Sequence, residues 1–282
     1  MKSPADVRPS PIAGTWYEGE APQLEASVDA NLRDASIPLL TGKVVGLVAP
    51  HAGHRYSGGV AGYAYKTVQG LTFDLVAVVS PMHQYYPQPL LTSAHRSYST
   101  PLGLVEIDQD AMRVLDAALK LSLGFGFSVV SQDREHSLEI QLPFLQRALD
   151  GPFKLLPVMV RDQSSRVARA LGNALCAVLD GRSALLVAST DLSHFYSQRE
   201  AQQLDGAILD QVAAFSPEGI YAVEAGGKGY ACGLGALAAV LWGAKDLGAD
   251  RVQVLKHDTS GSATGDDTSV VGYGAAVILK TV

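Results

Sequence analysis

The side chains able to bind a metal or move a proton gather in a few short segments, each placed where an apolar run ends or a helical one begins. His51, in Ala49-Pro50-His51-Ala52-Gly53, follows the run Lys43 to Ala49, and His83, in Ser80-Pro81-Met82-His83, follows Asp74 to Ser80. Runs of this kind read as β-strands, so both imidazoles emerge at strand C-termini, where open α/β sheets build their ligand sites. Cys232, in Ala231-Cys232-Gly233, precedes an Ala/Leu-rich helical stretch whose terminal N–H groups and dipole favour a thiolate. Together His51, His83 and Cys232 read as one metal site.

A third strand-end histidine, His194 in Asp191-Leu192-Ser193-His194, has an acid three residues before it. A carboxylate that holds a histidine in one tautomer makes it a metal ligand or a general base. The plainer role for Asp191 is to cap the helix that starts near Gln198. His83 lies 32 residues after His51, close to one β-α-β unit, so the two can end neighbouring parallel strands. His136, in Glu135-His136-Ser137-Leu138-Glu139, either lines the site or sits at the opening of a helix that Asp133 or Ser137 would cap. Cys176, within a helical pattern, fits a buried inert cysteine. Trp16, Tyr17 and Tyr56 read as core packing more readily than as pocket lining.

The elements that must position these groups alternate along the chain. Strand-like runs at Val44–Ala49, Leu75–Ser80, Phe153–Val160, Ala184–Ser189, Val252–His257 and Val270–Leu279 alternate with helical patterns. The helical patterns are Gly58–Val68, Gln109–Leu119, Leu138–Leu149, Ser165–Leu179, Gln198–Phe215 and Gly233–Leu247. Several strands are continuously apolar, as when helices cover both faces of a sheet, so an α/β three-layer sandwich is expected. No linker or internal repeat divides the 282 residues, which read as a single domain, with Thr259–Thr268 as a mobile loop.

Composition narrows the function. With 47% hydrophobic residues and a net charge of −6, the chain is globular and carries no basic footprint for nucleic acid. No apolar run reaches the ~18 residues of a membrane span, and Met1 to Trp16 lacks a signal-peptide core. Two cysteines give no disulfide framework, so a reducing cytoplasm is the expected location.

In order along the chain, these segments resemble the Memo family, whose bacterial and archaeal members are called AmmeMemoRadiSam system protein B. The resemblance is carried by Arg8-Pro9 with Gly14-Thr15-Trp16-Tyr17, the His51 and His83 segments, Glu135 to Glu139 with Gln141-Leu142-Pro143-Phe144, Ser189 to His194, Cys232-Gly233, and Thr264-Gly265-Asp266 with Val270-Val271-Gly272-Tyr273. It departs at Gln84, where a second histidine is usual, and at His54, where an aromatic residue is common.

The resemblance implies a fold like that of the class III extradiol (LigB-like) dioxygenases: a central mostly parallel or mixed sheet flanked by helices, with a metal pocket at one edge. It implies His51, His83 and Cys232 as ligands of a non-haem metal, with His194 facing the pocket as acid/base beside Asp191 and His136. Iron as Fe(II) is the expected cofactor, with copper or zinc as alternatives because a thiolate in place of a carboxylate softens the site. Three functions follow. One is an oxidoreductase acting on an unknown small molecule. Another is a non-catalytic metal-binding accessory of a radical-SAM enzyme and an AmmeMemoRadiSam system protein A. The last is a cysteine-dependent hydrolase with Cys232 as nucleophile, His194 as base and Asp191 as its orienter.

Overall fold

The structure, a computed structural model, describes residues 6–281. Its elements run β1 (Val7–Arg8), α1 (Ala21–Asp34), β2 (Lys43–Ala49), α2 (His54–Lys66), β3 (Leu75–Pro81), β4 (Leu90–Ser93), β5 (Ser97–Thr100), β6 (Gly103–Glu106), α3 (Gln109–Leu123) and β7 (Ser128–Val130). A 3-10 turn at Glu139–Gln141 leads into α4 (Leu142–Ala148). Then come β8 (Lys154–Val160), α5 (Ser165–Leu179), β9 (Ala184–Ser189), β10 (His194–Tyr196), α6 (Gln198–Ala213), α7 (Pro217–Ala225), α8 (Leu234–Asp246), β11 (Arg251–Thr259), α9 (Gly261–Thr264) and β12 (Val270–Lys280).

The main sheet has the order β10-β12-β2-β9-β3-β8-β4-β7, with β11 also paired to β12. Its centre, β2-β9-β3-β8, is parallel, while β12 runs antiparallel to β2 and β4 antiparallel to β8. All seven residues of β3 are buried, as continuous apolar runs in a two-sided sheet require. Helix α8 lies across β9, β3 and β2 with α5 packed on it, and α2 packs on β2 and β12 with α1 outside. This is the expected α/β three-layer arrangement around a mixed sheet.

Strand order corrects one expectation. His51 and His83 do not end neighbouring strands, because β9 pairs with both β2 and β3 and lies between them. The insertion brings the segment after Ser189 to the middle of the site.

Local chemistry explains the shifted boundaries. The segment Leu138–Leu149 breaks into a 3-10 turn and a short α4 because Pro143 sits in the first turn of α4, where a residue without an N–H is tolerated and an interior position is not. Helix α2 starts at His54, four residues earlier than its pattern suggested, behind Gly53. The cap of α6 is Ser197, in a reciprocal pair with Glu200, so Asp191 is free for another role. Thr259–Thr268 is not one loop: Thr259 closes β11 and Gly261–Thr264 forms α9. A second small sheet, β1-β5-β6, carries the N-terminal strand beside the site.

Candidate metal centre

Three imidazoles meet where the C-terminal ends of β2 and β3 face the turn before α4. His51, His83 and His136 each offer a ring nitrogen, and these atoms lie within 4.8 Å of one another. The rings of His83 and His136 stack with centroids 4.8 Å apart, and both stand edge-on to His51 at 5.5 Å or less. His136 therefore lines the site, and neither Asp133 nor Ser137 caps its helix. Asp133 binds Arg8, and the Ser137 hydroxyl donates to the Pro81 carbonyl.

Glu135 holds two of these histidines in place. One carboxylate oxygen accepts from His83 Nδ1 at 3.0 Å and from the backbone N–H groups of His136 and Ser137; the other accepts the His83 N–H at 2.6 Å. Burial works to raise the pKa of Glu135, but the His83 hydrogen bond and charge and the Ser137 N–H outweigh it, so the carboxylate is held well below its ordinary range. An ionised acceptor on His83 Nδ1 keeps the proton there and leaves Nε2 with its lone pair. Burial, more than neighbouring charge, lowers His51 far below the usual imidazole value and His136 to about 4. Both rings are thus neutral at pH 7, as metal ligands must be.

Cys232 approaches His51 from the start of α8, its Sγ 3.1 Å from Nε2. The approach needs Gly233, since a Cβ there would stand 2.6 Å from the Ser189 carbonyl and 2.9 Å from Thr190. The Asp191 N–H donates to the sulfur at 3.2 Å. The thiolate expected of a helix start is not what the free site favours: burial first, and then the Asp191 carboxylate, push the thiol well above its ordinary value. The dipole of one helix is outweighed by desolvation. Cys176 is half-buried in α5 and away from these groups.

Asp191 serves His51, not His194. Its Oδ1 accepts the His51 backbone N–H at 2.6 Å, and burial raises its pKa to about 7 against the N–H groups of His51 and Ala52. His194 donates from Nδ1 to the Leu192 carbonyl at 2.9 Å, which leaves Nε2 free to take a proton. Burial lowers its pKa, and its charge is felt at His51, so it borders the cluster. The Cys232, His194, Asp191 triad is therefore not assembled: the sulfur pairs with His51, because β9 sets Asp191 beside β2 and turns His194 into β10.

The N-terminal strap borders the site. Trp16 lies against His136 with ring centroids 4.0 Å apart. Arg8, 3% exposed, binds Asp133 and Glu139 and donates to the Glu135 carbonyl at 2.8 Å. Tyr17 is core, but Trp16 and Tyr56 are half-exposed and line a cleft of about 470 Å³ beside Ala52 and Phe195, so the packing role fits one of the three rings. None of the residues lining this cleft is charged. The two departures from the family pattern lie off the cluster. Gln84 accepts the Arg134 N–H, and His54 is buried between Tyr17 and Phe144 with Nε2 donating to the Ile140 carbonyl.

The donor set suits a transition metal. Two donors bound to one ion at about 2.1 Å for nitrogen and 2.3 Å for sulfur lie about 3.1 to 3.6 Å apart at right-angled to tetrahedral geometry, and the His51–Cys232 separation fits. The sequence gives no reason to place Ser189, Gln141 or Glu135 behind the histidines, and its core-packing reading of Trp16 misses the contact with His136. A polar residue ending an apolar strand, as Ser189 does, is the one signal that could have singled it out.

The chain is similar to known proteins along nearly its whole length. The profile of a family described as "Memo-like protein" matches residues 8–277. A MEMO1 family protein of Nitrosopumilus maritimus is 34% identical, over 95% of this chain and 98% of its own. One of Methanosarcina mazei is 32% identical, over 97% and 99%. Among solved structures, an uncharacterized protein of Escherichia coli aligns with a TM-score of 0.49 at 14% identity, over 82% of this chain and 99% of that one.

Proposed function

The chain belongs to the Memo family, and from that premise we propose that it is a metal-dependent oxidoreductase with one non-haem ion held by His51, His83, His136 and Cys232. The observation that supports this reading is the cluster itself: three imidazoles with donor atoms within 4.8 Å, and a sulfur 3.1 Å from one of them. Iron is the first candidate, with copper and zinc next because the sulfur softens the set. When bound, iron or copper would supply one-electron and O₂ chemistry.

The chain's own groups do the rest. Glu135 and the backbone around it orient His83 and His136, and Trp16 covers one side of His136. His194, neutral with a free Nε2, takes a proton from a substrate hydroxyl and returns it. The uncharged cleft between Trp16, Tyr56 and Phe195 admits a small neutral substrate.

Metal analysis of protein purified without a metal-binding tag tests the reading, followed by O₂ uptake after Fe(II) or Cu(I) loading across catechol and thiol panels. Stoichiometric metal with substrate-dependent O₂ uptake is expected. Protein that retains no metal and takes up none would sink the proposal, and metal without any turnover would leave a metal-binding protein only.

A further inference from the structure

Behind the cluster, a buried chain of hydrogen bonds decides which nitrogen of His51 carries its proton. Tyr65, fully buried, donates its hydroxyl to Gln141 Oε1 at 2.7 Å. The amide nitrogen of Gln141 then donates to the Pro50 carbonyl at 2.9 Å and to Ser189 Oγ at 2.8 Å. A flipped amide would set oxygen against the Pro50 oxygen, so the order is fixed. Ser189 spends its own proton on the Ser137 carbonyl at 2.6 Å. Its oxygen therefore has only lone pairs to offer His51 Nδ1, 3.1 Å away. An acceptor at that distance requires Nδ1 to be the N–H, which leaves Nε2 as a lone pair aimed at Cys232.

Tyr65, Gln141, Ser189, Ser137 and His51 are each 2% exposed or less and Pro50 is buried, which keeps the chain of bonds out of bulk water. The members come from separate elements: Tyr65 from α2, Gln141 from the 3-10 turn, Ser189 from the end of β9, and Pro50 beside His51.

We propose that Gln141 and Ser189 are positioning residues that lock His51 in its Nδ1–H tautomer and so preset Nε2 as a donor before any ion arrives. The tautomer stands on hydrogen bonds of the metal-free protein; its use in holding an ion rests on the metal reading above. A ligand whose lone pair is already aimed loses less on binding, and groups behind metal-bound histidines typically change affinity by about 10- to 100-fold.

The test is long-range ¹H–¹⁵N NMR of metal-free protein labelled at histidine nitrogen, at pH 7.5, joined to Zn(II) affinity by chelator competition. Wild type is expected to show a protonated Nδ1 and an unprotonated Nε2 at His51. Ser189→Ala and Gln141→Leu are expected to populate the Nε2–H form and to weaken Zn(II) binding by about 10- to 100-fold, while Ser189→Thr, which keeps the hydroxyl, restores both. An Nε2–H form in wild type would overturn the proposal, whether or not the variants fold. So would variants that keep both the wild-type tautomer and the wild-type affinity, and a changed tautomer with unchanged affinity would break the link to metal holding. Wild type that shows Nδ1–H yet binds no Zn(II) would refute the metal reading and leave the tautomer lock standing.

Discussion

The sulfur of Cys232 and Nε2 of His51 stand 3.1 Å apart although 181 residues separate them, and the thiol is the donor in the free protein because burial keeps it protonated. Cys232 and His51 are among the residues that would hold a metal, and the thiol would have to give up its proton to serve as a ligand.

Zn(II) should therefore protect Cys232 from alkylation. At pH 8, metal-free protein is expected to react slowly with iodoacetamide at Cys232, and Zn(II)-loaded protein at least tenfold more slowly, with Cys176 unaffected as an internal control. Peptide mass spectrometry gives both rates, and equal rates at Cys232 would remove the thiol from the ligand set.

Arg8 neutralises two carboxylates, Asp133 and Glu139, in a region closed to water. Arg8→Ala leaves both buried without their cation, which costs roughly 3–5 kcal/mol. Urea denaturation should show the midpoint falling with little change in slope. A loss under about 1 kcal/mol would mean that the two acids are solvated or protonated in the native protein.

Acid should weaken the fold through His54. Burial lowers its pKa from the ordinary 6.5, so the unfolded chain binds a proton there before the folded one does. Stability therefore falls as pH drops below about 6.5 and stops falling, for this group, below the depressed folded value. His54→Phe keeps the ring contacts with Tyr17 and Phe144 and removes that proton uptake. The stability difference between the variant and wild type should grow in the variant's favour as pH is lowered from 7 to 5, and a difference independent of pH would contradict it.

Phe195 holds a left-handed backbone, φ 66°, with its ring 77% exposed at the cleft mouth. Such a conformation costs of order 1 kcal/mol for a side chain of this kind, and asparagine tolerates it. Phe195→Asn should leave thermal stability unchanged or slightly higher and metal content intact, while lowering turnover of any substrate that uses the cleft. A substantial loss of stability would show that the ring packs in the fold instead.

The central strands were legible because β2, β3, β8 and β9 are continuous apolar runs, and two-sided burial leaves that mark. Their order was not, since nothing in a run says which neighbour it takes; hence the misplaced adjacency of His51 and His83. Strands β5 and β6 have four residues each and β5 is largely hydroxylic, too short and polar for a period to show. Helix α1 leaves a weak mark in the sequence although Leu24, Val28 and Leu32 recur at i, i+4, i+8, because charged residues dilute the stripe. At the site, histidines at strand ends could be read one by one. The Glu135–His83 bond and the Ser189–His51 bond join residues 52 and 138 positions apart, and only the fold brings them together.

X-ray absorption at the metal edge of Zn(II)-loaded protein tests the shared site most directly. The expected first shell is imidazole nitrogen at about 2.0 Å with one sulfur at about 2.3 Å. The sulfur should vanish in Cys232→Ser and the imidazole scattering should weaken in His136→Ala. A shell of oxygen alone, or a spectrum indifferent to both substitutions, would contradict the site.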